Sequence, residues 1–251
     1  MIKKIYFFWY QGINNAPFII KKCLESWKIY NPDWEIIILD SKNYNHYCEF
    51  SNNTLKNFNN LLSFTHFSDI LRLAILKDNG GLWVDATCFC NCPLNNWLIE
   101  YEKLFIYKNF NLTNRMISNF FIYSEKDNYI INKLYDETIN IYEKNIEEFS
   151  KNYFVQHDIF ENLYNNDIIF KNTWDSIENI NTQNNYMMYF DLYKKGNLHI
   201  ENNGFLEPIN EEIKKIIINK EKFIFKLSYK CDFENKYNDT TILAFLFDTI
   251  K

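Results

Sequence analysis

One block of the chain restricts its fold more than any other. Residues 67–77 read FSDILRLAILK, with apolar side chains around most of a helix, which is typical of a helix buried between other elements. Ser68 is the predicted N-cap, and Gly80 and Gly81 favour the end of the helix and a turn. Residues 82–85, LWVD, then read as a short buried strand. A buried helix that passes directly into a buried strand indicates an α/β fold.

The first forty residues predict the same architecture. Residues 5–9, IYFFW, form an apolar run typical of a buried strand. Pro17 opens a predicted helix over 18–30, and residues 34–40, WEIIILD, form a second strand that ends on an acid. A strand, a helix and a strand in this order predict two parallel strands joined by a crossover helix.

Further patterns extend this organisation to the C-terminus. We predict strands over 104–107, 117–123 and 223–227, and helices over 128–148 and 152–165. No repeat and no linker interrupts the chain, so we expect one domain over 1–251, with additional helices after residue 125.

The net charge, the N-terminus and the cysteines indicate which class of protein to expect. The net charge of -5 in 251 residues argues against a nucleic-acid-binding protein, which normally carries a basic excess. The opening MIKKIYFFWYQG has no small-residue cleavage site and reads as a strand rather than a signal peptide. The six cysteines are then expected to be free thiols in a reducing cytoplasm. The alternating Cys88, Cys90 and Cys92 lack the usual spacing of a zinc site.

Three charged residues form the strongest candidate site. Asp69 and Arg72 lie three apart and share a helix face, while Asp85 ends the next strand. Ligands of α/β sheets bind beyond the carboxyl ends of the strands. Arginine suits a pyrophosphate, and acids suit sugar hydroxyls or a divalent metal. The residues alone leave a ligand site and a structural ion pair equally open.

Three segments carry a resemblance to a known family. They are FFWYQGINNAPFIIKKCLESWKIYNPDWEIIILD, HFSDILRLAILKDNGGLWVDATCF and ISNFFI. They resemble the capsular polysaccharide synthesis protein family, which is related to glycosyltransferase family 32 and, more distantly, to the glucosylating domains of large clostridial toxins. The resemblance implies a GT-A fold, with a nucleotide-sugar-binding core in 1–125 and a helical, acceptor-side portion in 126–251.

The resemblance also implies residue roles. Asp69, Asp85 and Asn119 would be catalytic, with Asn119 near the anomeric carbon. His157 would contact the acceptor or the donor. The donor-binding residues would be Trp9, stacked on the base, with Gln11, Arg72, Trp83, Asp85, Thr87 and Lys230.

The acidic motif departs from the family pattern. It reads Asp85-Ala86-Thr87, so a threonine stands where the DxD motif has its second acid. A divalent metal, Mn²⁺ or Mg²⁺, at Asp85 is therefore doubtful, because a hard cation needs several oxygen ligands. Lys226 and Lys230 are candidates to neutralise a leaving diphosphate instead, and the alternative interpretation is a solvated basic face.

These observations lead to an expected function. We expect a retaining glycosyltransferase that moves a hexose or related sugar from a nucleotide-sugar, first of all a UDP-sugar, to a growing capsule or lipopolysaccharide glycan. The acceptor would be lipid-linked, at the inner face of a bacterial cytoplasmic membrane. The alternatives are a non-catalytic sugar- or nucleotide-binding module and a phospho-sugar transferase.

Overall fold

A computed structural model describes residues 1–51, 54, 63–108, 115–177, 186–188, 204–230 and 233–251. The strands are β1 Lys4–Phe8, β2 Glu35–Leu39, β3 Gly81–Val84, β4 Cys88–Cys90, β5 Leu104–Lys108, β6 Ile117–Ser124, β7 Tyr186–Met188 and β8 Ile224–Lys226. The helices are α1 Phe18–Tyr30, α2 Phe64–Asn79, α3 Tyr129–Lys144, α4 Ile146–Lys151, α5 Val155–Asn166, α6 Ile168–Asp175, α7 Glu211–Ile218, α8 Phe233–Lys236 and α9 Ile242–Asp248. The predicted α/β class is confirmed.

A mixed sheet of five strands lies at the centre, in the order β2-β1-β3-β6-β5. The predicted parallel pairing of β1 with β2 is confirmed, and β3 adds to β1 in parallel, with Phe7 opposite Val84. β6 runs antiparallel to β3, with Val84 opposite Phe121. The carboxyl ends of β1, β2 and β3 therefore share one edge of the sheet with the start of β6.

The two faces of this sheet bury separate hydrophobic clusters, because alternate side chains of a strand point to opposite faces. Ile5 and Phe7 pack into one cluster, which includes α1 and α9. Tyr6 and Phe8 pack into the other, which includes α2, α3 and α5. On the first face, the indole N–H of Trp27 donates to the Cys88 carbonyl at 2.8 Å. Trp27 is fully buried and belongs to this core.

A second sheet brings the C-terminal part of the chain to the same edge. Its order is β4-β8-β7, and Cys88 lies opposite Lys226 in the antiparallel β4–β8 ladder. The N–H of Leu227 donates to the Thr87 carbonyl at 2.9 Å. β8 is thus anchored beside the turn that follows β3, and the side chain of Lys226 reaches Asp85.

The start of α2 differs from the prediction. The helix begins at Phe64, and the Ser63 hydroxyl accepts from the His66 N–H. Ser68 lies inside the helix, where its hydroxyl donates to the Thr65 carbonyl at 2.8 Å. The predicted Ser68 cap is wrong, because the helix begins earlier and the Ser63 hydroxyl caps it at the His66 N–H.

Two other details concern helix ends. The predicted helix over 128–148 is two helices, interrupted at Asn145, whose φ of -151° and ψ of 75° are not helical. Gly80 ends α2 with a φ of 65°, and a Cβ there would lie 2.6 Å from the main-chain N of Lys126. Glycine is therefore required at this turn.

No helix in the described ranges has the length and apolarity to cross a membrane.

Candidate active site

The structure brings Asp69, Arg72 and Asp85 together at the carboxyl edge of the central sheet. Asp69 and Arg72 lie on α2, and Asp85 is the first residue after β3. The Asp85 N–H donates to the Phe120 carbonyl of β6 at 2.8 Å, which holds the turn against the sheet. Lys226, at the end of β8, completes a row of alternating charges.

Arg72 is the centre of this row and is only 2% exposed. Its Nη1 lies 2.9 Å from Asp69 Oδ1 and donates at 2.9 Å to the carbonyl of Asn119. Its Nη2 lies 3.1 Å from Asp85 Oδ1. One planar guanidinium thus joins α2, β6 and the turn after β3, a task for which the fork of arginine is well suited.

Asp85 faces the open side of the network, and its side chain is 24% exposed. Oδ1 accepts from Arg72 Nη2 and from the indole N–H of Trp83, both at 3.1 Å. Oδ2 accepts from Lys226 Nζ at 2.6 Å. Burial alone would raise the pKa of Asp85, but the positive charges of Lys226 and Arg72 outweigh it and lower the pKa. Asp85 is therefore a carboxylate at neutral pH.

Lys226 pairs with Asp85 although the two residues are 141 apart in sequence. Its side chain is 15% exposed, and its Nζ lies 5.4 Å from the centre of the Phe120 ring. Burial lowers the pKa of Lys226, but the carboxylate of Asp85 more than compensates, and the net shift is upward. Lys226 is a partly accessible ammonium held at the sheet edge.

Asp69 forms the sealed end of the row. Burial raises its pKa to about 6, although Arg72 opposes this shift. The Asn119 amide donates to Asp69 Oδ1 at 3.3 Å. Asp69 and Asn119 therefore support Arg72 and each other. The Asp69 side chain is 6% exposed, so it is less accessible to a ligand than the side chains of Asp85 and Lys226.

Helix α5 closes the site from the other side. Gln156, which is 1% exposed, accepts from the Asn119 amide at 2.7 Å and donates to the Asp69 carbonyl at 2.9 Å. The adjacent His157 has a pKa lowered to about 4, by burial first and then by the charges of Arg72 and Arg115. Its Nδ1 is buried without a hydrogen-bond partner in the described part of the chain. His157 is thus a neutral imidazole beside the charge network.

The residues at Asp85 do not fit a divalent cation. Both carboxylate oxygens already accept from positively charged groups, and the Thr87 carbonyl accepts from Leu227 N–H. No group of three or more His, Cys, Asp or Glu side chains suited to a metal occurs in the described residues. Hard cations need more oxygen ligands than one paired carboxylate supplies.

The cysteines lie in the core rather than at this site. All five that the structure describes, Cys23, Cys48, Cys88, Cys90 and Cys92, are buried and form no disulfide. Burial raises the pKa of Cys90 to about 12, so the thiol is a neutral core group. The sixth, Cys231, lies outside the described residues.

The other predicted donor-binding residues differ in their exposure: Trp83 is buried, whereas Trp9, Gln11 and Lys230 are accessible. Trp83 is 1% exposed and packs under Arg72, 5.6 Å from its guanidinium, so its placement favours orienting Asp85 over touching a donor. Trp9 is half-buried at the end of β1 and lies edge-on to Tyr229 at 5.2 Å. Gln11 and Lys230 are exposed at the same edge.

Sequence reasoning missed two residues near the site, Gln156 and Arg115. The guanidinium of Arg115 lies 3.8 Å from the centre of the Phe154 ring, and its charge acts on His157. A signal for Arg115 was available, because the chain has 25 lysines and only two arginines. Both arginines lie near this site, where a planar guanidinium can bind several acceptors at once or stack on an aromatic ring, which an ammonium does less well. Gln156 had no such signal.

Comparisons with known proteins agree with the family resemblance. The chain is 30% identical over 100 residues to the O-glycosyltransferase braB of Annulohypoxylon truncatum, a match that covers 35% of this chain and 23% of braB. The chain therefore spans less than a quarter of that curated relative.

Two solved structures are similar to this chain. The PaToxG glycosyltransferase is 17% identical, with a TM-score of 0.48 over 68% of this chain and 73% of that one. The apo-form glycosyltransferase GlyE of Streptococcus pneumoniae TIGR4 is 13% identical, with a TM-score of 0.47 over 100% of this chain and 60% of that one. The model of one family, described as capsular polysaccharide synthesis protein, matches residues 1–245. The chain belongs to the capsular polysaccharide synthesis protein family.

Proposed function

We propose that this protein is a glycosyltransferase of the GT-A type, in one domain, that takes a sugar from a nucleoside-diphosphate sugar. The proposal rests on two contacts that lie at the same edge of the central sheet. Asp85 Oδ2 lies 2.6 Å from Lys226 Nζ. The ring centres of Trp9 and Tyr229 lie 5.2 Å apart. A charged contact and an accessible aromatic contact thus lie at the ends of neighbouring parallel strands.

This arrangement suits the chemistry of a nucleoside-diphosphate sugar. The ammonium of Lys226 can donate hydrogen bonds to phosphate oxygens, and the accessible side of the Trp9 ring can stack on a base. Asp85 can accept from a hydroxyl of the sugar or of the ribose. His157, which is neutral, lies close enough to Arg72 and Arg115 for both charges to lower its pKa, and we propose that it contacts the acceptor.

The proposed reaction exchanges one bond at the anomeric carbon. The bond from that carbon to the diphosphate oxygen breaks, and its electron pair leaves with the nucleoside diphosphate. The acceptor hydroxyl oxygen forms the new bond, and its proton passes to an oxygen of the leaving diphosphate. Transfer from the same face would retain the anomeric configuration. The family resemblance supports this stereochemistry.

Family membership supports a growing cell-surface glycan as acceptor, in capsule or lipopolysaccharide synthesis. We propose a lipid-linked acceptor at the cytoplasmic face of the membrane, since nucleotide-sugars are made in the cytoplasm. A UDP-sugar is the first donor to test. A non-catalytic sugar- or nucleotide-binding module is the alternative, and the paired state of Asp85 is the observation that favours it.

The test measures both binding and turnover. The purified protein is melted with UDP-, GDP-, CMP- and dTDP-sugars, and release of the nucleotide is followed with a lipid-linked glycan fraction as acceptor. A ligand that binds only the folded state raises the melting temperature. We expect one nucleoside-diphosphate class, UDP, GDP or dTDP, to do so and to lose its sugar, whereas a CMP-sugar that did so would contradict the proposed donor class. Binding without turnover supports the module, and a folded protein that binds none of the donors contradicts the proposal.

A further inference from the structure

Both oxygens of the Asp85 carboxylate accept hydrogen bonds from the protein itself. Oδ1 accepts from Arg72 and from Trp83, and Oδ2 accepts from Lys226 at 2.6 Å. In a metal-dependent transferase an acid at this position would offer an oxygen to a divalent ion. Here the ammonium of Lys226 already occupies Oδ2, at 2.6 Å.

The charges around Asp85 oppose a second cation. Arg72 and Lys226 together carry two positive charges within 3.1 Å of the carboxylate oxygens. A divalent ion bound to Asp85 would be repelled by both, and the repulsion is strong in a partly buried site. The threonine at position 87 removes the second acid that would offset it.

Lys226 is also held in place by the fold. Its strand pairs with β4, where Lys226 lies opposite Cys88, and the next residue donates its N–H to the Thr87 carbonyl at 2.9 Å. The two anchors hold the start of the Lys226 side chain beside the turn that carries Asp85. An internal cation in a fixed position costs little reorganisation when a negative charge develops next to it.

We propose that Lys226 takes over the role of a divalent metal at this site, so that the protein binds and uses its donor without metal. The inference rests on the proposed function. An ammonium has three N–H donors, and among the described residues Lys226 gives a hydrogen bond to Asp85 alone. The other donors can bind oxygens of the diphosphate. When the sugar–oxygen bond breaks, the electron pair enters the diphosphate, and Lys226 faces the added charge.

The test is calorimetric titration of the full chain with UDP, and in parallel with GDP and dTDP. Each is titrated once with EDTA and once with Mn²⁺. We expect one nucleoside diphosphate to bind with dissociation constants that agree within about threefold in the two conditions, because Lys226 already supplies the cation. Lys226→Met should weaken that binding by about 10-fold or more, as expected for a lost charge-assisted hydrogen bond. Lys226→Arg, which keeps the charge, should bind more tightly than Lys226→Met.

Lys214→Met is the matched control. Lys214 pairs with Glu211 at 2.7 Å, a contact much like that of Lys226 with Asp85, but on the surface of α7. Its loss should leave nucleotide binding unchanged. Thermal melting of each variant shows whether it is folded, and the metal-free titration of the unmodified chain tests the inference even if Lys226→Met does not fold.

The outcomes separate the two proposals. Binding that needs Mn²⁺ in the unmodified chain overturns the role of Lys226 and leaves the transferase proposal standing. Unchanged binding by a folded Lys226→Met also overturns it. If none of the three nucleoside diphosphates binds in either condition, the donor class itself is wrong and the proposed function fails with it.

Discussion

The side-chain amide of Gln156 accepts a 2.7 Å hydrogen bond from the amide of Asn119. This contact joins α5, in the C-terminal half, to β6 of the central sheet. Gln156 also donates to the Asp69 carbonyl at 2.9 Å. One buried glutamine therefore fixes the position of α5, and of His157 on it, relative to the charge network.

Replacement of Gln156 should destabilise the fold. Gln156→Leu keeps the approximate volume but removes two buried hydrogen bonds, one from the Asn119 amide and one to the Asp69 carbonyl, which costs about 1–3 kcal/mol in the free energy of unfolding. Urea denaturation measures this loss. Gln11→Leu is the control, because Gln11 is exposed and should change stability by less than about 0.5 kcal/mol. Equal stability of the two variants would show that the Gln156 contacts contribute little.

Arg72 should not be replaceable by lysine. Arg72→Lys cannot reach Asp69, Asp85 and the Asn119 carbonyl together, and it leaves a buried carboxylate poorly paired. We expect a loss of about 3–5 kcal/mol in the free energy of unfolding, seen as a melting temperature lower by roughly 10 °C. Arg115→Lys, at an exposed arginine that stacks on Phe154, should lose about 1 kcal/mol at most. Similar losses in both variants would contradict a special role for Arg72.

His157 should make stability depend on pH below neutrality. Its pKa is lowered to about 4 in the folded state from 6.5, so the unfolded chain binds the proton more readily. The stability that His157 contributes is present above pH 6.5 and is lost as the pH falls towards 4. The raised pKa of Asp69, about 6, acts in the opposite direction, so total stability alone does not isolate His157.

A difference measurement isolates it. The free energy of unfolding of the unmodified chain minus that of His157→Gln should decrease by roughly 1–3 kcal/mol between pH 7 and pH 4. Urea denaturation at several pH values gives this difference. His46→Gln, at an exposed histidine, controls for the substitution itself. A difference that is constant with pH would mean that His157 is not held neutral by the fold.

Trp9 should report on donor binding by fluorescence. Five of the six tryptophans, Trp27, Trp34, Trp83, Trp97 and Trp174, are buried, whereas Trp9 is half-buried at the sheet edge. A base that stacks on its ring should quench its emission. We expect UDP, or the nucleoside diphosphate that binds in calorimetry, to quench the unmodified chain.

The same ligand should leave Trp9→Phe largely unquenched. The phenyl ring can still stack, so Trp9→Phe should retain binding within about 10-fold, since base–aromatic stacking contributes about 1–3 kcal/mol. Calorimetry measures that binding independently of fluorescence. Undiminished quenching in Trp9→Phe would place the ligand beside another tryptophan.

Much of the fold could be predicted because it depends on local patterns. The apolar spacing over 18–30 predicts a helix with the observed bounds, and the apolar run before Asp85 predicts β3 to within one residue. The predicted start of α2 was wrong because Ser63 and Ser68 are both acceptable N-cap residues. Which of them is used depends on His66, which lies between Ser63 and the Asn152 carbonyl.

The sequence by itself determined the α/β class, the parallel start of the sheet and the grouping of Asp69, Arg72 and Asp85 at its carboxyl edge. These follow from hydrophobic periodicity and from residues close together in the chain. Only the tertiary structure decided that Lys226 pairs with Asp85 across 141 residues and that Gln156 closes the site from α5. Such contacts depend on strand register and helix packing, which local patterns do not encode because they arise only when distant segments meet in a common core.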